Sequence, residues 1–376
     1  MNNPRSQSIL SQGLELRNLD KIVKREVHLK DINLTLNSGE RYVVLGRTLA
    51  GKTSLLRIMA GLDRPTTGSV ILNGQDVTGV SVRKRSVAVV YQQFINYPPL
   101  SVYKNIASPL TIAGLDKKEI HRRVTDIAQT LHIESLLDRL PSELSGGQQQ
   151  RVAIARALVK KAELLLMDEP LVNLDYKLRE ELRVELQEIF NRREAIVVYT
   201  TTEPTEALML GGNIIVMDKG RILQTGPTSE VYHNPITTTV AEVFSDPPIN
   251  YLSGSVQGAV ASLGEGIEIP LKDYAHLRNL PNGQYIFGVR CNHMFLKRTS
   301  PEDAEIRVEV ELAEINGSET FIHVTYDDRR LVVQEDGVHP RQIGSKIPIY
   351  ASPRCFFVYA PGGELVASPS LISLKE

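Results

Sequence analysis

The run Gly46-Arg47-Thr48-Leu49-Ala50-Gly51-Lys52-Thr53 has the spacing G-x-x-x-x-G-K-[ST]. Glycines allow a backbone to curl until successive N–H groups point into one concave nest, which suits an anion. A lysine at that spacing reaches the β- and γ-phosphates of a nucleoside triphosphate, and the hydroxyl of Thr53 can ligate Mg²⁺. With Ser54 closing the run, these residues are candidates for a phosphate cradle. A second pair, Asp168-Glu169, suits metal-assisted hydrolysis. Asp168 can hold Mg²⁺ through water, and Glu169 can polarise an attacking water as general base. The two acids can equally be a strand-end cap. The turn Ser145-Gly146-Gly147-Gln148 offers backbone N–H donors at a helix start, which is either a second anion site or a helix cap alone. Gln92 can touch Mg²⁺ or orient water, or it can be a solvated loop residue.

These groups need elements to hold them. Residues 42–45 read as a buried strand, and the helix from Ser54 to Ala60 stops at Gly61, so the glycine run has the strand–loop–helix context it requires. Leu14 to Leu19 and Val27 to Leu36 alternate as half-buried strands, with Ile32, Leu34 and Leu36 on one face. Residues 87–91 form a strand that ends at Gln92, and Leu164-Leu165-Leu166-Met167 forms another that ends at the acid pair. Ligands of open α/β sheets gather at the carboxyl ends of strands, so both placements suit a site. Residues 116–140 read as charged helix with a core stripe, and a further helix runs from about Val152 to Val159. Leu174, Leu178, Leu182, Leu186, Ile189 and Phe190 stripe the helix after the acid pair. Residues 195–199 are another buried strand, and residues 211–226 a hairpin with Lys-Gly at its turn.

The chain has 376 residues, enough for two domains, with 23% charged and 42% hydrophobic residues. Its net charge of -1 offers no global basic field for nucleic acid. Two cysteines, Cys291 and Cys355, are too few for a disulfide framework. Residues 1–12 are polar and lack the apolar core of a signal peptide. No apolar run reaches the ~18 residues of a membrane span.

Taken together, the motifs closely resemble the ABC-type ATPases. Leu144-Ser145-Gly146-Gly147-Gln148 followed by Gln-Gln-Arg is similar to that family's signature, and Leu171-Val172-Asn173-Leu174-Asp175 to its D-loop. Residues 91–106 resemble the glutamine hinge of importer ATPases, which assigns the hinge to Gln92 with Gln93 as the alternative. The resemblance implies an α/β P-loop ATPase domain over residues 1–240, with a helical insert at about 92–160. The short alternating strands beyond it suggest an OB-like β-barrel domain over 241–376, for which the resemblance implies regulation and dimer contacts. Gly288-Val289-Arg290 with His293, and residues 314–320, belong to the family-like part of that barrel.

Several partners follow from the resemblance. Two ATPase subunits pack head to tail around ATP and Mg²⁺, with Ser145 to Gln148 and Asp175 of one facing the nucleotide of the other. Two membrane permeases receive the motion, a solute-binding protein takes part indirectly, and no nucleic acid is expected. The implied location is peripheral, on the cytoplasmic face of the plasma membrane. The branch is that of carbohydrate, polyol and glycerol-phosphate importers, and residues 46–53 with 91–98 look most like glycerol-uptake ATPases. Two positions depart from the pattern. Thr202 stands where the family places a histidine against the γ-phosphate, with Glu206-Ala207 fixing the register. Val23 stands where an aromatic stacks on adenine. A hydroxyl has neither the reach nor the charge of an imidazole. The departures point to a slow site on this chain's own phosphate loop and to a heterodimer with a related ATPase, against a homodimer in which Thr202 suffices. Two further readings stay open: a non-catalytic regulatory ABC subunit, and an ABC ATPase acting on nucleic acid.

Overall fold

The computed structural model describes residues 13–191, 194–264 and 266–369, so the polar stretch at 1–12 lies outside the described residues. The chain divides between Thr228 and Ser229 into two compact units.

The first unit opens with β1 (Gly13–Val23), β2 (Glu26–Asn37) and β3 (Arg41–Leu45), then α1 (Lys52–Ala60). It continues through β4 (Thr67–Leu72), β5 (Gln75–Asp76), β6 (Val87–Val90), α2 (Val102–Ile112), α3 (Lys117–Thr130) and α4 (Gly146–Leu158). It closes with β7 (Leu164–Asp168), α5 (Tyr176–Asn191), β8 (Ile196–Thr201), α6 (Pro204–Leu210), β9 (Asn213–Asp218) and β10 (Arg221–Pro227). An antiparallel sheet in the order β2-β1-β4-β5 accompanies a second sheet in the order β10-β9-β3-β8-β7-β6. The second sheet is parallel from β9 to β6, and β10 adds an antiparallel edge. β7 and β8 are buried along their whole length, which is why they read as unbroken apolar runs rather than alternating ones. One core joins the two sheets through α1, whose Leu55, Leu56, Ile58 and Met59 lie between them.

Some boundaries differ from the sequence expectation. The helix expected over 116–140 stops at Thr130. His132 then takes a left-handed φ of 53°, and the Leu131 carbonyl accepts from Arg151 instead of continuing the ladder. The helix expected from Val152 begins instead at Gly146, because Ser145 and Gln148 form a reciprocal capping box that carries the helix through both glycines. Leu174 is buried ahead of α5 rather than within it.

The second unit holds α7 (Thr228–His233), shared at its first residue with the boundary, and α8 (Thr238–Val243). Its strands are β11 (Asn250–Gln257), β12 (Val260–Ser262), β13 (Glu268–Pro270), β14 (Gly283–Val289), β15 (Met294–Phe295), β16 (Ala304–Asn316), β17 (Glu319–Tyr326), β18 (Arg329–Asp336), β19 (Lys346–Ala351), β20 (Phe357–Tyr359) and β21 (Leu365–Ala367). They form sheets in the orders β13-β12-β11-β14-β20-β21 and β15-β19-β16-β17-β18 around one apolar core, a barrel-like domain of OB type. Arg290 is buried with its guanidinium 3.8 Å from the centre of the Tyr232 ring, and it donates to Ser245 Oγ at 2.7 Å and the Tyr232 carbonyl at 2.8 Å. It thereby ties α7 and the end of α8 to the barrel. His293 is half-buried in the turn that follows.

Candidate nucleotide site

The loop between β3 and α1 is built as its composition requires. Gly51 precedes the helix in the left-handed region, at φ 101°. A Cβ there would stand 2.9 Å from the His28 carbonyl oxygen and 3.2 Å from Gly220 Cα, so neighbouring backbone as well as the dihedral demands glycine. A Cβ on Gly46 would meet the Met217 carbonyl oxygen at 2.6 Å. Ala50 is buried, and its carbonyl accepts from Gly220 N–H at 3.0 Å, which pins the loop to the β9–β10 turn. Arg47, Thr48 and Leu49 form its exposed crest, with Leu49 at φ 69°. Ser54 lies one turn into the helix, 3.4 Å from His28 Nδ1.

Lys52 is 4% exposed, and its ammonium donates to the Gly46 and Arg47 carbonyls at 2.7 and 3.1 Å. It also pairs with Glu169 Oε1 at 3.1 Å. The sheet thus brings the phosphate loop and the acid pair together across 117 positions of sequence, counted from Lys52 to Glu169 (169 − 52). Asp168, the last residue of β7, accepts at Oδ1 from the Thr53 hydroxyl at 3.1 Å and from the Thr200 hydroxyl at 2.9 Å. Burial pushes the Asp168 carboxyl above its usual range, while the Thr200 and Thr53 hydroxyls pull the other way. Glu169 follows at φ 44°, a left-handed turn rare for a residue with a side chain, and its N–H donates to Thr200 Oγ1 at 3.0 Å. Thr200 was not singled out from sequence. Its only signal was a run of three threonines closing an apolar strand.

The other candidates sit in loops and turns of their own. Gln92 is exposed just past β6, and its carbonyl accepts from the Asn173 amide at 3.0 Å, which links the glutamine loop to the loop after the acid pair. Gln93 beside it is also exposed. Thr202 is half-buried one residue beyond β8. Next to it, the Thr201 hydroxyl donates to the buried Glu206 carboxylate and accepts from the Glu203 N–H. Burial raises the Glu206 carboxyl above its ordinary value. Val23 ends β1 at the tip of the β1–β2 hairpin, 37% exposed, beside Ile22 and Val27, which are also exposed.

The signature turn is organised differently. Ser145 Oγ accepts from Gln148 N–H at 3.4 Å, and Ser145 N–H donates to Gln148 Oε1 at 3.0 Å. Ser145 and Gly146 are exposed, whereas Gly147 is buried because Leu178 of α5 fills the space a Cβ would need, its Cδ2 1.7 Å from that point. Asp175 caps α5 by accepting from Leu178 N–H at 3.0 Å. The turn and Asp175 are therefore neighbours through Gly147 and Leu178.

Comparison with known proteins gives concordant findings. Residues 29–172 match the family described as ABC transporter. An ABC transporter ATP-binding protein of Bacillus subtilis, YurJ, is 34% identical over 86% of this chain and 91% of its own. The sn-glycerol-3-phosphate import ATP-binding protein UgpC of Yersinia pestis is 34% identical over 91% of this chain and 95% of its own. The Escherichia coli protein of the same name is 37% identical over 81% and 85%. Among solved structures, a dimeric ATP-binding cassette in a post-hydrolysis state with ADP and Pi aligns at TM-score 0.52 and 29% identity, covering 57% of this chain and 98% of that one. The cbiO1 subunit of an ABC transporter complex from Clostridium perfringens aligns at TM-score 0.54 and 27% identity, covering 58% and 90%.

Proposed function

The chain belongs to the ABC transporter family of ATP-binding subunits, and from that membership we propose how its own residues serve ATP-driven import. It is the ATP-binding and ATP-hydrolysing subunit of an importer, acting with membrane permeases. The observation that carries the residue-level reading is the meeting of Lys52 with Glu169, and of Thr53 with Asp168, at the mouth of the glycine loop.

In this reading the loop of residues 46–54 and the Lys52 ammonium receive the phosphates of ATP. The Thr53 hydroxyl and the Asp168 carboxylate are hard oxygen donors of the kind Mg²⁺ takes and would hold it, with the exposed Gln92 as a third candidate ligand. Mg²⁺ bound there would neutralise charge on the phosphates. Glu169 orients and deprotonates the attacking water, and its ion pair with Lys52 keeps its carboxylate aimed at the loop. Ser145, Gly146, Gly147, Gln148 and Asp175 face the nucleotide of a second ATPase subunit, and Val23 lies beside the adenine. The greater affinity of ATP for the closed pair drives the transport motion. The solute belongs to the polyol and glycerol-phosphate class, with glycerol the first choice. The relatives' names support glycerol phosphate, and the resemblance of the loop sequences of residues 46–53 and 91–98 supports glycerol. The subunit works peripherally at the cytoplasmic face of the membrane.

Thr202 and Val23 favour a slow site on this chain's own loop, completed in a heterodimer whose other member supplies a histidine. ATP turnover of the purified complex tests this: Thr202→His raises it about tenfold or more if the site is impaired, and unchanged turnover counts against impairment. ATP turnover of the chain by itself separates an active ATPase from a purely regulatory subunit. Uptake of labelled glycerol into vesicles carrying the complex, competed with glycerol 3-phosphate, decides the solute. Uptake of neither removes this solute class.

A further inference from the structure

We propose that Thr200 is a positioning residue of the acid pair, its one hydroxyl fixing the Asp168 carboxylate and the Glu169 backbone relative to each other and to Thr53. The proposal rests on the reading above, in which Thr53 and Asp168 hold Mg²⁺ beside ATP. β7 and β8 run parallel with Asp168 and Thr200 in direct register, so the two residues are neighbours at the carboxyl end of the sheet. Thr200 is 0% exposed. A hydroxyl has one proton to give and lone pairs to receive with. Here the proton goes to Asp168 Oδ1 at 2.9 Å, and the oxygen receives the Glu169 N–H at 3.0 Å. The same Oδ1 accepts from Thr53 at 3.1 Å, so the carboxylate is held from both flanks.

The bond from the Glu169 N–H carries special weight. Glu169 stands at φ 44°, a conformation a glutamate adopts only when its surroundings impose it. That turn swings the side chain towards Lys52, which it meets at 3.1 Å. Replacing the hydroxyl by a methyl of the same size removes the partner of a part-buried N–H at the turn and loosens one side of the carboxylate. Such outer partners of a metal-binding carboxylate are worth about ten- to hundredfold in metal affinity or activity. Thr201 is a built-in control. Its hydroxyl makes the same double bond pattern, to Glu206 and from the Glu203 N–H, but away from the acid pair.

The experiment uses the purified full-length chain, with a fluorescent ATP analogue titrated with Mg²⁺, beside ATP turnover of the assembled complex. Thr200→Val is expected to raise the Mg²⁺ concentration for half-maximal binding about tenfold and to lower kcat at least tenfold, with KM for ATP little changed. Thr200→Ser restores both, and Thr201→Val leaves the Mg²⁺ dependence where it was. Wild-type Mg²⁺ dependence in Thr200→Val, equal impairment of Thr200→Ser, or an equal shift in Thr201→Val each overturns the proposal alone. Wild-type protein that takes up no Mg-ATP overturns it together with the reading it rests on. Should Thr200→Val fail to fold, Thr200→Cys keeps the volume and weakens the donor, and an unmoved Mg²⁺ dependence there is equally fatal.

Discussion

Two helices of the first unit begin with glycine, and they begin in opposite ways. At α1 the start is braced from outside the helix: Gly51 is locked in a left-handed turn against the His28 carbonyl and Gly220, and the buried Lys52 meets Glu169 beside it. At α4 the start is exposed: Ser145 and Gln148 bond to each other, and Gly147 is small only to admit Leu178 from behind. A helix start of either kind can present N–H groups to an anion. At the first, α1 itself brings the Lys52 ammonium and the end of β7 brings Asp168 and Glu169. The second offers a face with no charged side chain of its own. In the proposed reading the first start gathers the chain's own catalytic groups, and the second lends its face to the nucleotide of a partner subunit.

The sharpest way to break this contrast is Lys52→Ala. It removes a buried ammonium aimed at the phosphates, so Mg-ATP binding by the full-length chain, read by fluorescence titration, should weaken about a hundredfold. Unchanged binding would remove the loop from the account. Gly51→Ala follows. It pushes a methyl against backbone and forces a left-handed alanine, so chemical denaturation should show a loss of about 2–3 kcal/mol. Ser145→Asp sharpens the other side. Aspartate caps a helix as well as serine does, so the melting temperature should hold, and nucleotide binding by the chain alone should stay as in wild type. Turnover of the assembled complex should nevertheless fall about tenfold, since a negative charge then faces the partner's phosphates. If binding by the chain alone falls as well, the turn serves its own nucleotide and the contrast is wrong. The smallest effect is expected for Gly147→Ala. The atom in the way is the end of a flexible leucine, so the loss should be about 1 kcal/mol, and Leu178→Ala in the same chain should recover part of it. A loss as large as that of Gly51→Ala would show the two helix starts to be equally constrained.

Local features were legible where the cause is local. The β3–α1 loop, the β9–β10 hairpin with its Lys219-Gly220 turn, and the end of α1 at Gly61 follow from glycine placement and apolar runs. Boundaries shifted where a side chain changed the outcome. Two glycines after Ser145 read as a turn, but the capping box makes them the first turn of a helix. α2 went unread because prolines precede it at 98 and 99 and Pro109 lies inside it. In the barrel, β11, β12, β13, β15 and β21 went unread. The last four have two or three residues each and get their stability from pairing rather than from their own composition.

The order of the motifs was settled by sequence, because a phosphate nest, a helix cap and a strand-end acid each depend on a few consecutive residues. The partnerships were decided in three dimensions. Nothing local to Thr200 says that it meets Asp168, and nothing local to Glu169 says that it turns through a left-handed φ to reach Lys52. Those contacts depend on the register of β7 against β8 and of β8 against β3, which is set by burying strands on both faces at once. Spacing along the chain chose the chemical groups, and the packing of the sheet chose which of them touch.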